Sequence, residues 1–129
     1  MSNKVLEGLL YTKNDEWLKV EDDSIGVIGI TDYAQDQLGD IVYVEEIKKG
    51  TIVNQGDIVT TVESVKAVAE VYSPISGEVI EVNHSIIDEP SQINEDSYGK
   101  GWFVKIKMSK PEETKGLMSA SDYGDYRKQ

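Results

Sequence analysis

The residue whose chemistry stands out is Lys66, in the run Val62-Glu63-Ser64-Val65-Lys66-Ala67-Val68-Ala69-Glu70. It is a single cation between Glu63 and Glu70, with small or apolar residues beside it. Two β-prone runs, Ile58–Val65 and Val68–Tyr72, flank it. Turn glycines at Gly56 and Gly77 bracket those runs at nearly equal distance from the lysine. This spacing predicts a hairpin with Lys66 near its tip; the turn holds no Asn-Gly or Asp-Gly, so its type is not readable. Most turn lysines only face water. An amine held on a rigid hairpin also suits acylation, because an enzyme reaches it without unfolding anything. An amide bond there removes the charge and turns the side chain into a tether for a covalently attached group.

Other chemistries find little equipment. With no cysteine, disulfides, thiolate metal sites, cysteine nucleophiles and iron–sulfur ligation are excluded. His84 is the sole histidine, which excludes a two-histidine metal site; it follows Asn83 and reads as a surface turn residue. No phosphate-binding glycine motif occurs. Asn94, Asp96 and Gly99 faintly follow a calcium-loop spacing that fails at Tyr98 and Lys105, so a structural loop is expected there. The 24 acidic residues outweigh 13 basic ones, for a net charge of −11, which disfavours nucleic acid and anionic membrane surfaces as partners. No apolar run is long enough to span a membrane. These exclusions favour a carrier or binding protein over a catalyst.

The elements that must position Lys66 are short and β-rich. Strands are predicted over Glu16–Val20, Ile25–Ile30, Ile41–Ile47, Ile58–Val65, Val68–Tyr72, Val79–Val82 and Trp102–Met108. Thr31 or Asp32 caps a short helix through Leu38, stopped by Gly39. The stretch from Ser85 to Ile93 contains Pro90 and reads as an irregular loop or a broken helical turn. The tail from Pro111 to Gln129 carries a capping Ser119 or Ser121 and a short terminal helix that Tyr123 and Tyr126 pack onto the sheets. Trp17 and Trp102 are expected in or against the core. Gly39-Asp40, Gly56-Asp57 and Gly77-Glu78 form a weak repeat, each before a strand. At 129 residues one domain, 1–129, is expected: a mainly β sandwich of two small sheets related by that repeat.

Several of these segments together resemble the H-protein family of the glycine cleavage system. Glu63-Ser64-Val65-Lys66-Ala67, followed by Tyr72-Ser73-Pro74-Ile75-Ser76-Gly77-Glu78-Val79, is similar to its lipoyl-attachment segment. Tyr11-Thr12-Lys13 with Glu16-Trp17 resembles its N-terminal motif. The run from Gly29 to Asp40 resembles its central motif. Val82-Asn83, Ile93-Asn94-Glu95-Asp96, Tyr98-Gly99 and Gly101-Trp102 follow in the family's order. The match runs from about Leu6 to the C-terminus.

The resemblance implies a hammerhead-like lipoyl/biotinyl-carrier fold and lipoate in amide linkage on Lys66, with Glu63 and Ala67 read by the attaching lipoate ligase or lipoyl/octanoyl transferase. It implies no catalysis by the chain itself. Three enzymes would use the arm: a pyridoxal-phosphate glycine decarboxylase (P-protein), a tetrahydrofolate-dependent aminomethyltransferase (T-protein) and dihydrolipoamide dehydrogenase (L-protein). The loaded arm would fold into a cleft where Glu16 faces the amine and Asn14, Gln37 and Glu70 add polar contacts. The chain departs from the family pattern at Asp15, Tyr33 and Gln37, where histidine is common. A monomer is implied, in the cytoplasm, or in the mitochondrial matrix of a eukaryote. Biotin carriers favour methionine beside the lysine, where Val65 and Ala67 stand here. Lipoyl domains of 2-oxoacid dehydrogenases usually carry aspartate in place of Val65. A lipoate donor for another pathway and an unmodified β-sandwich interaction module are the remaining alternatives.

Overall fold

The computed structural model describes residues 4–22 and 24–128. Its strands are β1 (Leu10–Tyr11), β2 (Glu16–Glu21), β3 (Ile25–Ile30), β4 (Ile41–Val44), β5 (Ile52–Val53), β6 (Ile58–Ser64), β7 (Val68–Tyr72), β8 (Gly77–Val82) and β9 (Val104–Met108). Its helices are α1 (Asp32–Leu38), α2 (His84–Asp88), α3 (Ser91–Glu95) and α4 (Ala120–Lys128), with a 3-10 turn over Pro111–Gly116. A six-stranded antiparallel sheet runs β1-β2-β3-β9-β8-β5, and a three-stranded one runs β4-β6-β7. The fold is mainly β, as expected, although the two sheets are unequal. The glycine-acid repeat marks the entries to β4 and β6 in the small sheet and to β8 in the large one.

Alternation along β2 and β3 divides the core in two. Leu18 and Ile28 face inward with Val44, Val62, Val71, Val79, Phe103 and Ile106, in the main cluster between the sheets. Trp17 and Val27 face the other way and pack with Tyr11, Ala120 and Tyr123 of α4. The rings of Tyr11 and Tyr123 stack at 4.6 Å with a 9° interplanar angle. The large sheet thus has both faces covered at its β1–β3 end, and α4 is part of the structure rather than a loose tail.

Boundaries moved where local chemistry opposed the pattern. The run predicted through Ile47 ends at Val44: β4 carries a bulge between Ile41 and Tyr43, and a turn from Lys48 to Thr51 around Gly50 follows. Trp102 lies in a turn, its N–H donating to the carbonyl of Gly99, so β9 starts at Val104. Pro90 splits Ser85–Ile93 between α2, capped by the Asn83 side chain, and α3. Of the two proposed C-terminal caps, Ser119 accepts from the N–H of Asp122, whereas Ser121 lies within α4. The two-residue strands β1 and β5 are too short to show a period.

Gly77 illustrates why one turn residue is required. It pairs with Met108 across β8 and β9, and a Cβ there would collide with the backbone carbonyl of Lys107. Gly77→Ala is expected to lower unfolding free energy by about 2 kcal/mol or more, read by urea denaturation. Gly116→Ala, where the space around the new methyl is open, is the matched control and should change it by less than about 0.5 kcal/mol.

Candidate functional site

The β6–β7 hairpin is built around Ser64. Its Oγ accepts from the N–H of Ala67 at 3.0 Å and of Lys66 at 3.3 Å, while its own N–H donates to the Ala67 carbonyl at 2.8 Å. A serine hydroxyl closing its own turn replaces the Asn-Gly chemistry that the turn lacks. The tip is also tied down: the N–H of Val65 donates to the carbonyl of Asp40 at 3.0 Å. That turn is itself held by Asn94, whose amide donates to the Gly39 carbonyl and accepts from the Ile41 N–H, both at 2.9 Å. Lys66 is exposed at the tip. Its Cε lies 3.4 Å from where a Cβ on Gly39 would stand, so the lysine stem rests on the glycine that ends α1. Gly39 has φ +77°, the left-handed region that favours glycine.

A cleft of about 180 Å³ opens beside this tip. Ile30, Ala34, Leu38, Val62, Ala69 and Val71 form its apolar walls. Asn14, Asp15, Glu16, Gln37 and Glu70 supply its polar groups. Val62, Ala69, Glu70 and Val71 of its lining belong to the two strands whose hairpin carries Lys66. The space equals roughly six waters. Apolar walls with carboxylates among them suit an aliphatic tether ending in a cation.

Glu16 is the most constrained of these acids, at 1% exposure. One carboxylate oxygen accepts from Thr12 Oγ1 at 2.6 Å, the other from the N–H of Tyr72 at 3.0 Å. It therefore joins β2 of the large sheet to β7 of the small one. Burial pushes its carboxyl up to about 7; the Thr12 and Tyr72 bonds oppose that rise and the charge of Asp15 adds to it. The folded chain thus holds a proton that the unfolded chain releases between the ordinary value of 4.5 and about 7. Stability should fall as pH rises through that window, by about 3 kcal/mol in total, and this contribution levels off above it. Glu16→Gln keeps an acceptor for the Tyr72 N–H and removes the titrating group, and should flatten this dependence. Urea denaturation of both proteins from pH 4.5 to 8 measures it.

The four residues expected to form a cleft, Asn14, Glu16, Gln37 and Glu70, line one and the same space. Glu63 and Ala67 lie outside it, on the exposed hairpin, with Glu63 paired to Val68 across the strands. The sequence alone assigns no role to Ser64, Thr12 or Asn94, which stand there only as motif letters and, for Asn94, in a faint calcium-loop spacing. Thr12 Oγ1 also accepts from the N–H groups of Asn14 and Glu16, so it folds the turn that delivers both. Asn94 and the carboxylate of Asp96 both bond backbone groups, as a structural loop requires. His84 is exposed at the start of α2. No helix among the described residues is long and apolar enough to cross a membrane.

Comparison with known proteins places this geometry in a family context. Residues 9–129 match the family model described as "Glycine cleavage H-protein". The chain is 55% identical over 126 residues to the "Probable glycine cleavage system H protein" of Pyrococcus horikoshii, covering 97% of this chain and 93% of that protein. It is 51% identical over 115 residues to the glycine cleavage system H protein of Rhodospirillum rubrum, covering 89% and 91%. The crystal structure of a glycine cleavage system H protein from Mycobacterium marinum superposes with a TM-score of 0.89 at 31% identity, over 97% of this chain and 100% of that one.

Proposed function

The chain belongs to the glycine cleavage H-protein family, and from that premise we propose that it is a lipoyl-bearing carrier modified on Lys66. The observation that carries this reading is the position of Lys66: exposed on a braced hairpin whose two strands also wall an amphipathic cleft. Bound lipoate would supply a disulfide that takes up the aminomethyl group of glycine and is reduced in doing so, leaving a dithiol to be reoxidised between turnovers. The chain's own residues present, shelter and release the arm. Ser64 and Asp40 hold the tip so that the amine projects in one direction. Val62, Ala69 and Leu38 cover the aliphatic part of the arm and exclude water. Glu16, with Asn14, Gln37 and Glu70 around it, faces the ammonium end. An arriving cation stabilises the carboxylate form of Glu16, so loading and deprotonation of that group are coupled.

The chain itself is non-catalytic and works as a single monomeric domain. Its partners are the pyridoxal-phosphate glycine decarboxylase, the tetrahydrofolate-dependent aminomethyltransferase, dihydrolipoamide dehydrogenase and the enzyme that attaches lipoate to Lys66. It operates in the cytoplasm, or in the mitochondrial matrix of a eukaryote. A net charge of −11 steers it toward basic surfaces around the partners' active sites, a rate advantage that salt screens. The test is a reconstituted system in which release of carbon dioxide from glycine is followed with lipoylated or unmodified chain. Only the lipoylated chain should support turnover. If lipoylated chain does not, while remaining a substrate for dihydrolipoamide dehydrogenase, the arm serves another pathway.

A further inference from the structure

The turn that carries Asn14, Asp15 and Glu16 into the cleft is held from outside by the last helix. Arg127 of α4 grips the Asp15 carboxylate with two bonds, Nε to Oδ1 at 2.7 Å and Nη2 to Oδ2 at 2.8 Å. The Tyr123 hydroxyl donates to the same Oδ1 at 2.8 Å and lies 2.8 Å from Thr31 Oγ1, the side chain that caps α1. Arg127 Nη2 and the Tyr126 hydroxyl also reach the Lys13 carbonyl, each at 3.4 Å. The guanidinium is sandwiched between the rings of Tyr33 and Tyr126, at 4.3 and 4.6 Å from their centroids. Asp15 has φ +70°, a conformation that a non-glycine residue adopts at a cost, and its carbonyl accepts from the N–H of Thr31 at 2.9 Å. Something must stabilise that backbone, and the bidentate Arg127 contact, with side chains only 26% and 17% exposed, does so.

The geometry points to Arg127 as a positioning residue for the cleft: through Asp15 it fixes the Asn14–Glu16 turn, and so sets how long the loaded arm stays sheltered. The inference rests on the carrier function proposed above. It assigns the C-terminal helix a part in retaining the cargo, separate from its packing through Tyr123. A partner that engaged this helix would have a direct mechanical route to the cleft.

Two measurements test it. In the unmodified protein, Arg127→Met should speed hydrogen exchange at the Glu16 and Thr31 amides by about fivefold or more, while Ile28 and Val62 in the sheets stay unchanged. In lipoylated protein charged by the glycine decarboxylase and freed from it, Arg127→Met should release ammonia roughly fivefold faster than wild type, with Arg127→Lys in between because lysine lacks the planar fork. Val53→Ala, a core truncation in β5 at the opposite edge of the large sheet from β1, controls for general destabilisation. The inference is overturned if Arg127→Met keeps the wild-type release rate, or if Val53→Ala accelerates release as much at an equal loss of Tm. If wild-type protein releases ammonia as fast as aminomethylated dihydrolipoamide does in solution, the cleft reading itself fails, and wild type alone reveals that.

Discussion

Lys66→Arg is expected to abolish lipoylation and all carrier activity while leaving the fold intact. The loss should be complete, because a guanidinium stays protonated and is not acylated under conditions where an amine is. The fold should not notice: Lys66 is exposed at the hairpin tip, with its stem near Gly39. A surface exchange of this kind changes stability by less than about 0.5 kcal/mol. Wild type and variant should therefore unfold together in urea, while only wild type gains mass with a lipoate–protein ligase. Equal glycine decarboxylation by the two proteins would remove Lys66 from the mechanism.

Glu16→Ala should have the second largest effect, and through a different step. Lipoylation should proceed normally, because Glu16 lies in the cleft and not on the hairpin. The loaded arm, however, loses the carboxylate that its ammonium faces, and release of ammonia should accelerate on the order of tenfold, as expected for one charge-assisted bond. Alanine also strips the Tyr72 N–H and the Thr12 hydroxyl of their partner, at a cost of about 1–3 kcal/mol for a buried group left unpaired. Glu16→Gln separates the two consequences. It keeps the Tyr72 bond that bridges the sheets and loses the charge, with only the Thr12 hydroxyl deprived of its acceptor, so it should shorten the lifetime of the loaded arm at a smaller structural cost than alanine. A release rate unchanged in both variants would leave Glu16 with a structural role alone.

The hairpin and its lysine were legible because they rest on local information. Strand periodicity and turn glycines lie within a few residues of Lys66, and Thr31 and Gly39 bound α1 by capping rules that act over one turn. The cleft was legible only through family resemblance. Nothing in composition or spacing says that Glu16 meets the backbone of Tyr72, 56 residues away. The same holds for the grip of Asn94 on Gly39 and of Arg127 on Asp15, separated by 55 and 112 residues. Polar side chains that hold distant backbone have no periodic signature, and they read as loop residues until the fold brings their partners near. The boundary errors share a local cause. A bulge in β4, a turn at Trp102 and Pro90 between two helices each interrupt a pattern that hydrophobicity alone would extend.

The most direct test of the carrier account is peptide-resolved mass spectrometry of the folded chain after incubation with lipoate, ATP and a lipoate–protein ligase. The account predicts one lipoyl adduct per chain, on the peptide containing Lys66 and on no other lysine. A folded chain that acquires no adduct, or acquires it at other lysines while Lys66 stays free, would contradict it.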